Sequence, residues 1–517
     1  GFIRSNKIEK KDLYENNTEK GKFYFYKTKP KTLKTQELLI EFIPKILQDY
    51  QWKKSMKWGK FNLNWGRPLK SILSVFDKKI ISFEFHHLVS SNSTFIDKDL
   101  EDKKKVFINF KKYSNFFEKQ GIFIDHNKRL KIINRRFFKI LNKRNLKIND
   151  NPKLVDEVVN LVDSPNILLC KFDKKFLSIP QEILTLTMQS HQKYFPTFDN
   201  KNEITNEFLI VTNKKDLKGL IKLGNERVVE ARLSDAEFFW NKDKTQNLVK
   251  KVSELKLMNF FKGLGTYFDK VQRMRKLGGM ISDELLISKE KVELLVSICK
   301  TDLTSDLVGE FPELQGIMGG YFSGHQGFDK DIALAITEQY LPIGLDSNVP
   351  KKPFSVALSI TDKIDTIVGF FGINEKPTSS KDPLALRRTA LGIIRTIIEN
   401  KKDFKINDLL SYSSSLYEDQ GHKLINKDLK KELHNFFKDR FRYYLKEKEI
   451  RYDIIDASIS SFSLNKFFSS FEKAKCLNKF INSQIGIDIT SSYKRASNIL
   501  ENEIKNNEIE IRGTTDP

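Results

Sequence analysis

Apolar positions divide this chain into two kinds of text. From about residue 250 they recur every three or four places. Leu257, Phe261, Leu264, Phe268, Val271 and Met274 form one stripe, and Val292, Leu295, Cys299 and Leu303 a second. Ala357, Ile360, Ile364, Ile367 and Phe371 form a third, and Leu391, Ile394 and Ile398 a fourth. A helix of 3.6 residues per turn returns such positions to one face, so the spacing predicts a predominantly α-helical half. Asp382 before Pro383 predicts a helix start there, because Asp caps free N–H groups and Pro suits the first turn. Upstream the apolar runs are short. Residues 23–26 and 80–85 read as strands among basic helical stretches, and residues 167–170 and 208–211 as buried strands around a segment at 179–196. The expected fold class is α+β multidomain: a mixed α/β N-terminal half followed by a predominantly helical half. The sharpest boundary is expected near 248 and a softer one near 402, giving segments 1–150, 151–248, 249–401 and 402–517.

Length and composition narrow this picture. At ~150 residues per domain, 517 residues suggest about three domains, and 39% apolar content supplies real cores. No stretch reaches the ~18 uninterrupted apolar residues of a membrane span, so no membrane partner is expected. Three cysteines, Cys170, Cys299 and Cys476, can build neither a disulfide scaffold nor a four-thiolate zinc site. They read as small buried side chains in a reducing, cytoplasmic compartment. Residues 1–5 fit a myristoylation pattern only if an initiator Met was removed. The missing initiator Met and the polar end at 512–517 instead predict a chain that starts inside a longer protein.

Lys and Arg number 90 against 67 Asp and Glu, a formal charge of +23. Such an excess points to a polyanionic partner, usually nucleic acid. The abundance of Phe, Lys, Asn and Ile offers a plainer source, since AT-rich codons specify them. Basic runs at 103–105, 111–112 and 128–144 crowd the first third.

Catalytic motifs are mostly missing. There is no phosphate loop of the G-x-x-x-x-G-K-[ST] type, Gly263-Leu264-Gly265 lacks the third glycine of a dinucleotide turn, and no His pair stands at H-E-x-x-H spacing. Asp302, on the second stripe, and Asp362 and Asp365, at i and i+3, resemble part of an HD phosphohydrolase site. Thr301 stands where the His of the His-Asp pair belongs, so no metal is expected, and the three carboxylates are expected to pair with Arg387, Arg388 or Lys300. Arg388, Gly392 and Arg395 lie on one helix face, either open to a phosphate backbone or closed as an ion-pair face. Tyr493, Lys494, Arg495 and Asn498 combine an aromatic, two cations and an amide, residue types suited to single-stranded RNA.

Longer motifs carry a resemblance. Ile179-Pro180-Gln181-Glu182-Ile183-Leu184, Met188 to Pro196, Gly224-Asn225-Glu226-Arg227-Val228 and Ala231 to Trp240 resemble the beta subunit of bacterial glycyl-tRNA synthetase. So do Leu264-Gly265-Thr266 with Lys270 and Arg273, Asp302-Leu303, Glu310 to Gly319, Asp362 to Thr366 and Lys381 to Arg388, in order over roughly residues 50–500. The resemblance implies the non-catalytic half of an α2β2 heterotetramer, a glycine–tRNA ligase whose alpha subunit activates glycine with ATP and Mg. This chain would then bind no cofactor and be inactive alone. It would handle tRNA-Gly through a mixed α/β region, a degenerate HD-like domain and the start of an anticodon-binding domain. Ser91-Asn92-Ser93-Thr94 stands where a Gly-His-Arg-like segment is usual. The family's N-terminal stretch and the end of its anticodon-binding domain are expected to be missing. Two other classes compete: an HD-type metal-dependent phosphohydrolase and a basic RNA-binding scaffold.

Overall fold

The computed structural model describes residues 3, 8–18, 21–27, 33–96, 103–460 and 462–505. The 1–5 pattern, apart from residue 3, and the 512–517 end lie outside the described residues. Two compact units emerge: residues 1–146, 150–169 and 209–218 in one, and 147–149, 170–208 and 219–517 in the other. The class is the α+β one expected, with small sheets and dominant helices.

The first unit opens with an antiparallel hairpin, Leu13–Thr18 against Gly21–Tyr26. The strand expected at 80–85 is split. Lys79–Ile80 pairs with Val75–Phe76, and Glu84–Phe85 pairs with Leu88–Val89. Left-handed residues at Asp77, Lys78 and His86 tighten a turn at each end, so each half of the run is drawn into its own hairpin. Ile81, Phe83 and Phe85 still share one small core with Leu63. Three helices follow, Phe110–Lys119, His126–Arg144 and Pro152–Leu161, each started by an Asn or Asp side chain that accepts the first free N–H groups. The basic run at 128–144 covers the outside of the second, whose Ile133, Phe137 and Leu141 face inward. The strands expected at 167–170 and 208–211 are present as Asn166–Lys171 and Ile204–Thr212.

The second unit is built around the helix Pro353–Gly372, of which 17 of 20 residues are buried. A helix buried on nearly every side is a core helix, and the few charges it carries must find partners inside. Tyr267–Leu285, Lys330–Glu338, Leu386–Glu399, Ile406–Asp419 and Leu429–Glu447 pack around it. At Gly369 an added Cβ would fall 2.2 Å from the Tyr417 hydroxyl, so glycine is what lets the Ile406–Asp419 helix approach.

Four expectations for this half are corrected. The first stripe is α-helical only from Tyr267, Leu257 ending a separate 3₁₀ turn, Val252–Leu257. Gly263 and Gly265 take φ of +88° and +82°, turning Asn259–Phe261 back on Gly265–Thr266, and Thr266 with Asp269 then closes a capping box. Leu257, outside the helix, is exposed. The second helix stops at Ile298, and Asp302 sits on a separate 3₁₀ turn, Thr301–Thr304. The fourth helix starts at Leu386 rather than after Asp382. Asp382 nonetheless caps it from upstream, accepting from the Leu386 and Arg387 N–H groups at 2.9 and 3.0 Å, while Pro383 stands outside. Cys170 and Cys299 are buried as expected, but Cys476 is exposed on the helix Phe467–Ile481.

Candidate nucleic-acid interface and buried carboxylate centre

The three HD-like aspartates come to one buried region, but cations of this chain hold two of them. Lys270 and Arg273, at i and i+3 of Tyr267–Leu285, face Asp362 and Asp365 across the interior. Arg273 grips Asp365 with two nitrogens, Nε to Oδ1 at 2.7 Å and Nη2 to Oδ2 at 3.2 Å, while its third, Nη1, donates to Gln420 Oε1 at 2.6 Å. The Tyr417 ring lies 3.7 Å from this guanidinium, and its hydroxyl donates to Asp365 Oδ2 at 3.2 Å. Lys270 Nζ bridges the carboxylates, 2.9 Å from Asp362 Oδ1 and 3.2 Å from Asp365 Oδ2. Lys300 takes the other oxygen of Asp362 at 2.7 Å and meets the Tyr340 hydroxyl at 3.0 Å. Burial alone would raise the Asp362 carboxyl, yet Lys270 and Lys300 outweigh it and hold it well below the usual carboxylate range. Pairing with Lys300 was expected; pairing with Arg387 or Arg388 is not what forms.

Asp302 is different. Burial pushes its carboxyl up to about 6, against backbone N–H groups of Gly316 and Gly319 that favour the charged form. Its Oδ2 accepts from Gly316, and Oδ1 has no partner among the described residues. Nearby, burial drives the Lys363 ammonium down to about 7, although it donates to the Leu341 carbonyl and Ser359 Oγ, each at 2.7 Å. Among the described residues no group of three or more His, Cys, Asp or Glu side chains is placed to hold a metal ion.

The two candidate arginines of the fourth helix prove unequal. Arg395 is buried and fully bonded, Nη1 to the Gly344 carbonyl at 2.5 Å, Nη2 to the Ser347 carbonyl at 2.8 Å and Nε to Glu399 at 2.9 Å. Gly392 is buried too, its position facing Lys363. Arg388 is exposed and, among the described residues, unpaired. It borders a hollow of about 380 Å³ together with Arg387, Arg440 and Tyr443. Lys494, Arg495 and Asn498 are all exposed on the helix Gln484–Lys505, so Asn498 is not drawn into a bundle.

Sequence reasoning assigned no role to Lys270, Arg273, Tyr417, Arg440 or Tyr443. Lys270 and Arg273 flank apolar Val271 and Met274 on a buried stripe, and cations there call for buried anions. Tyr417 and Gln420, ~150 residues away, gave no such signal.

The quoted motifs also meet one another. Tyr194 donates to Asn225, and Glu226 accepts from the Lys171 N–H at 2.8 Å. The Tyr321 hydroxyl donates to Glu182 at 2.7 Å, and Trp240 stacks on Phe322 at 5.7 Å. Among the described residues no helix is long and apolar enough to cross a membrane.

A family profile described as glycyl-tRNA synthetase beta subunit matches residues 1–460. Among curated proteins, the chain is 37% identical over 502 residues to a glycine–tRNA ligase beta subunit of Rickettsia canadensis (strain McKiel), covering 97% of this chain and 73% of that one. The corresponding protein of Rickettsia felis is 36% identical over 508 residues, covering 97% and 74%.

Proposed function

This chain belongs to the glycyl-tRNA synthetase beta subunit family, and from that premise we propose that it is the tRNA-handling subunit of a cytoplasmic α2β2 enzyme. As a beta subunit of glycine–tRNA ligase it works with an alpha subunit. In this reading the alpha subunit activates glycine with ATP and Mg, and this chain binds and orients tRNA-Gly without a cofactor of its own. Arg388, Lys494, Arg495 and Asn498 present exposed cations and an amide to RNA, and Arg395 props the loop beside Arg388. The observation that carries the reading is how the HD-like centre spends its charge. Asp362 and Asp365 give their oxygens to Lys270, Lys300 and Arg273, so a divalent ion would have to displace three cations and fill a cradle without imidazole. The donor set does not fit a metal, which speaks for a domain that has turned from hydrolysis to structure.

Glycylation of total tRNA, with this chain and an alpha subunit combined and separately, tests the proposal. Product is expected only from the combination. ATP–pyrophosphate exchange with glycine by the pure chain would sink it, as would one or two tightly held metals per chain lost in Asp302→Ala.

A further inference from the structure

We propose that the hollow between the helices Leu386–Glu399 and Leu429–Glu447 receives a single unstacked nucleotide, its phosphate on Arg387, Arg388 and Arg440 and its base against Tyr443. This deepens the tRNA-handling reading and rests on it. The hollow has a volume of about 380 Å³, near the lower end of the ~300–1,000 Å³ usual for small-ligand sites. It therefore suits one nucleotide and is too small for a duplex, whose phosphates need an open groove.

Its cations are available. Arg395, at the base, is consumed by Gly344, Ser347 and Glu399. Arg387 gives one nitrogen to the Thr378 carbonyl and keeps its others. Arg440 has a buried Nε with no partner among the described residues, and its guanidinium carbon stands 6.0 Å from the Phe436 ring and 5.9 Å from that of Tyr443. No carboxylate among the described residues lines the hollow. Three acids of the flanking segments are engaged elsewhere: Asp382 on the helix start, Glu399 on Arg395 and Glu447 on the Tyr443 hydroxyl.

Three guanidinium groups without counter-charge fit a phosphate, which they can grip through paired N–H donors. A phosphate alone would not need the rest of the lining. Pro342, Leu345 and Leu391 make an apolar floor, and Tyr443 adds a partly exposed ring. An aromatic plane beside arginines is the usual receiver of a base pulled out of its stack. The ligand chemistry is thus a phosphorylated nucleoside, carried by RNA or free.

The test compares two RNA hairpins of one stem sequence, fully paired or with one looped-out nucleotide, binding to the full chain. Wild type is expected to prefer the looped-out RNA roughly fivefold or more, the low end of what stacking one base on an aromatic ring supplies. Tyr443→Ala and Arg440→Gln, with unchanged Tm, are expected to abolish the preference. Lys494→Ala should weaken both RNAs and keep it. Equal binding of the two hairpins by wild type, or a preference that survives Tyr443→Ala, overturns the proposal. Nucleoside 5′-monophosphates serve as competitors: displacement lost in Tyr443→Ala assigns the hollow to free nucleotides as well, and no displacement assigns it to RNA. Glycylation with an alpha subunit separates the two readings. A preference without glycylation overturns only the functional one, and glycylation without a preference overturns only this one.

Discussion

Asp365 illustrates how one residue can hold a fold's interior in register. Both its oxygens are bonded to cations, and Tyr417 adds a hydroxyl. Asp365→Ala leaves Arg273 buried without its anion and is expected to cost about 3–5 kcal/mol, read by urea unfolding. Asp302 makes a prediction in pH. Its carboxyl sits at about 6 against an ordinary 3.8, so between these values the folded protein holds a proton that the unfolded chain has released. The stability from this residue is full below pH ~4 and is lost as the pH rises through 6, by about 3 kcal/mol. Unfolding of wild type and Asp302→Asn across pH 4–7 should show a steeper decline in wild type, the difference being the share of Asp302. Lys363, lowered to about 7 from 10.5, works in the opposite direction and in another window. Its contribution is full above pH ~10.5 and falls as the pH drops through 7, so the two titrations are separable.

At the scale of elements, the close approach at Gly369 sets the packing of two helices. Gly369→Ala gains helix propensity but drives a methyl group into Tyr417, and is expected to lose about 1–3 kcal/mol net, measured by thermal unfolding. Asp382→Ala removes the acceptor for two free N–H groups and should cost ~1 kcal/mol. These elements also show what a linear reading can reach. The stripes at 357–371 and 391–398 became helices because burial on several sides left no competing pattern. The stripe at 257–264 failed because apolar spacing does not register two glycines at positive φ, whose turn overrides the period. Asp362 and Asp365 were legible as a buried pair, since neighbouring helix positions share a face. Their partners were not, because Tyr417 and Gln420 reach them only through tertiary packing. Arg395 and Arg388 look alike along the sequence, and only the loop carbonyls of Gly344 and Ser347 tell them apart.

For the whole molecule, that inequality becomes a statement about RNA. Arg388→Glu should weaken tRNA binding and flatten its log–log salt dependence by about one unit per lost phosphate contact, with Tm unchanged. Arg395→Glu should lower Tm, because it places an acid beside Glu399 and abandons two carbonyls. On the last described helix, Lys494→Ala should weaken all tRNAs alike, whereas Asn498→Ala should reduce discrimination of tRNA-Gly from a non-cognate tRNA. Equal weakening of both tRNAs would make Asn498 a general contact. The thiols offer a way to watch this without altering the protein. Burial encloses Cys170 and Cys299, while Cys476 stands exposed on Phe467–Ile481, the helix that packs against Gln484–Lys505. A maleimide dye added to the native chain should therefore attach at one position, beside the helix expected to touch RNA. Its fluorescence then becomes a built-in gauge of docking.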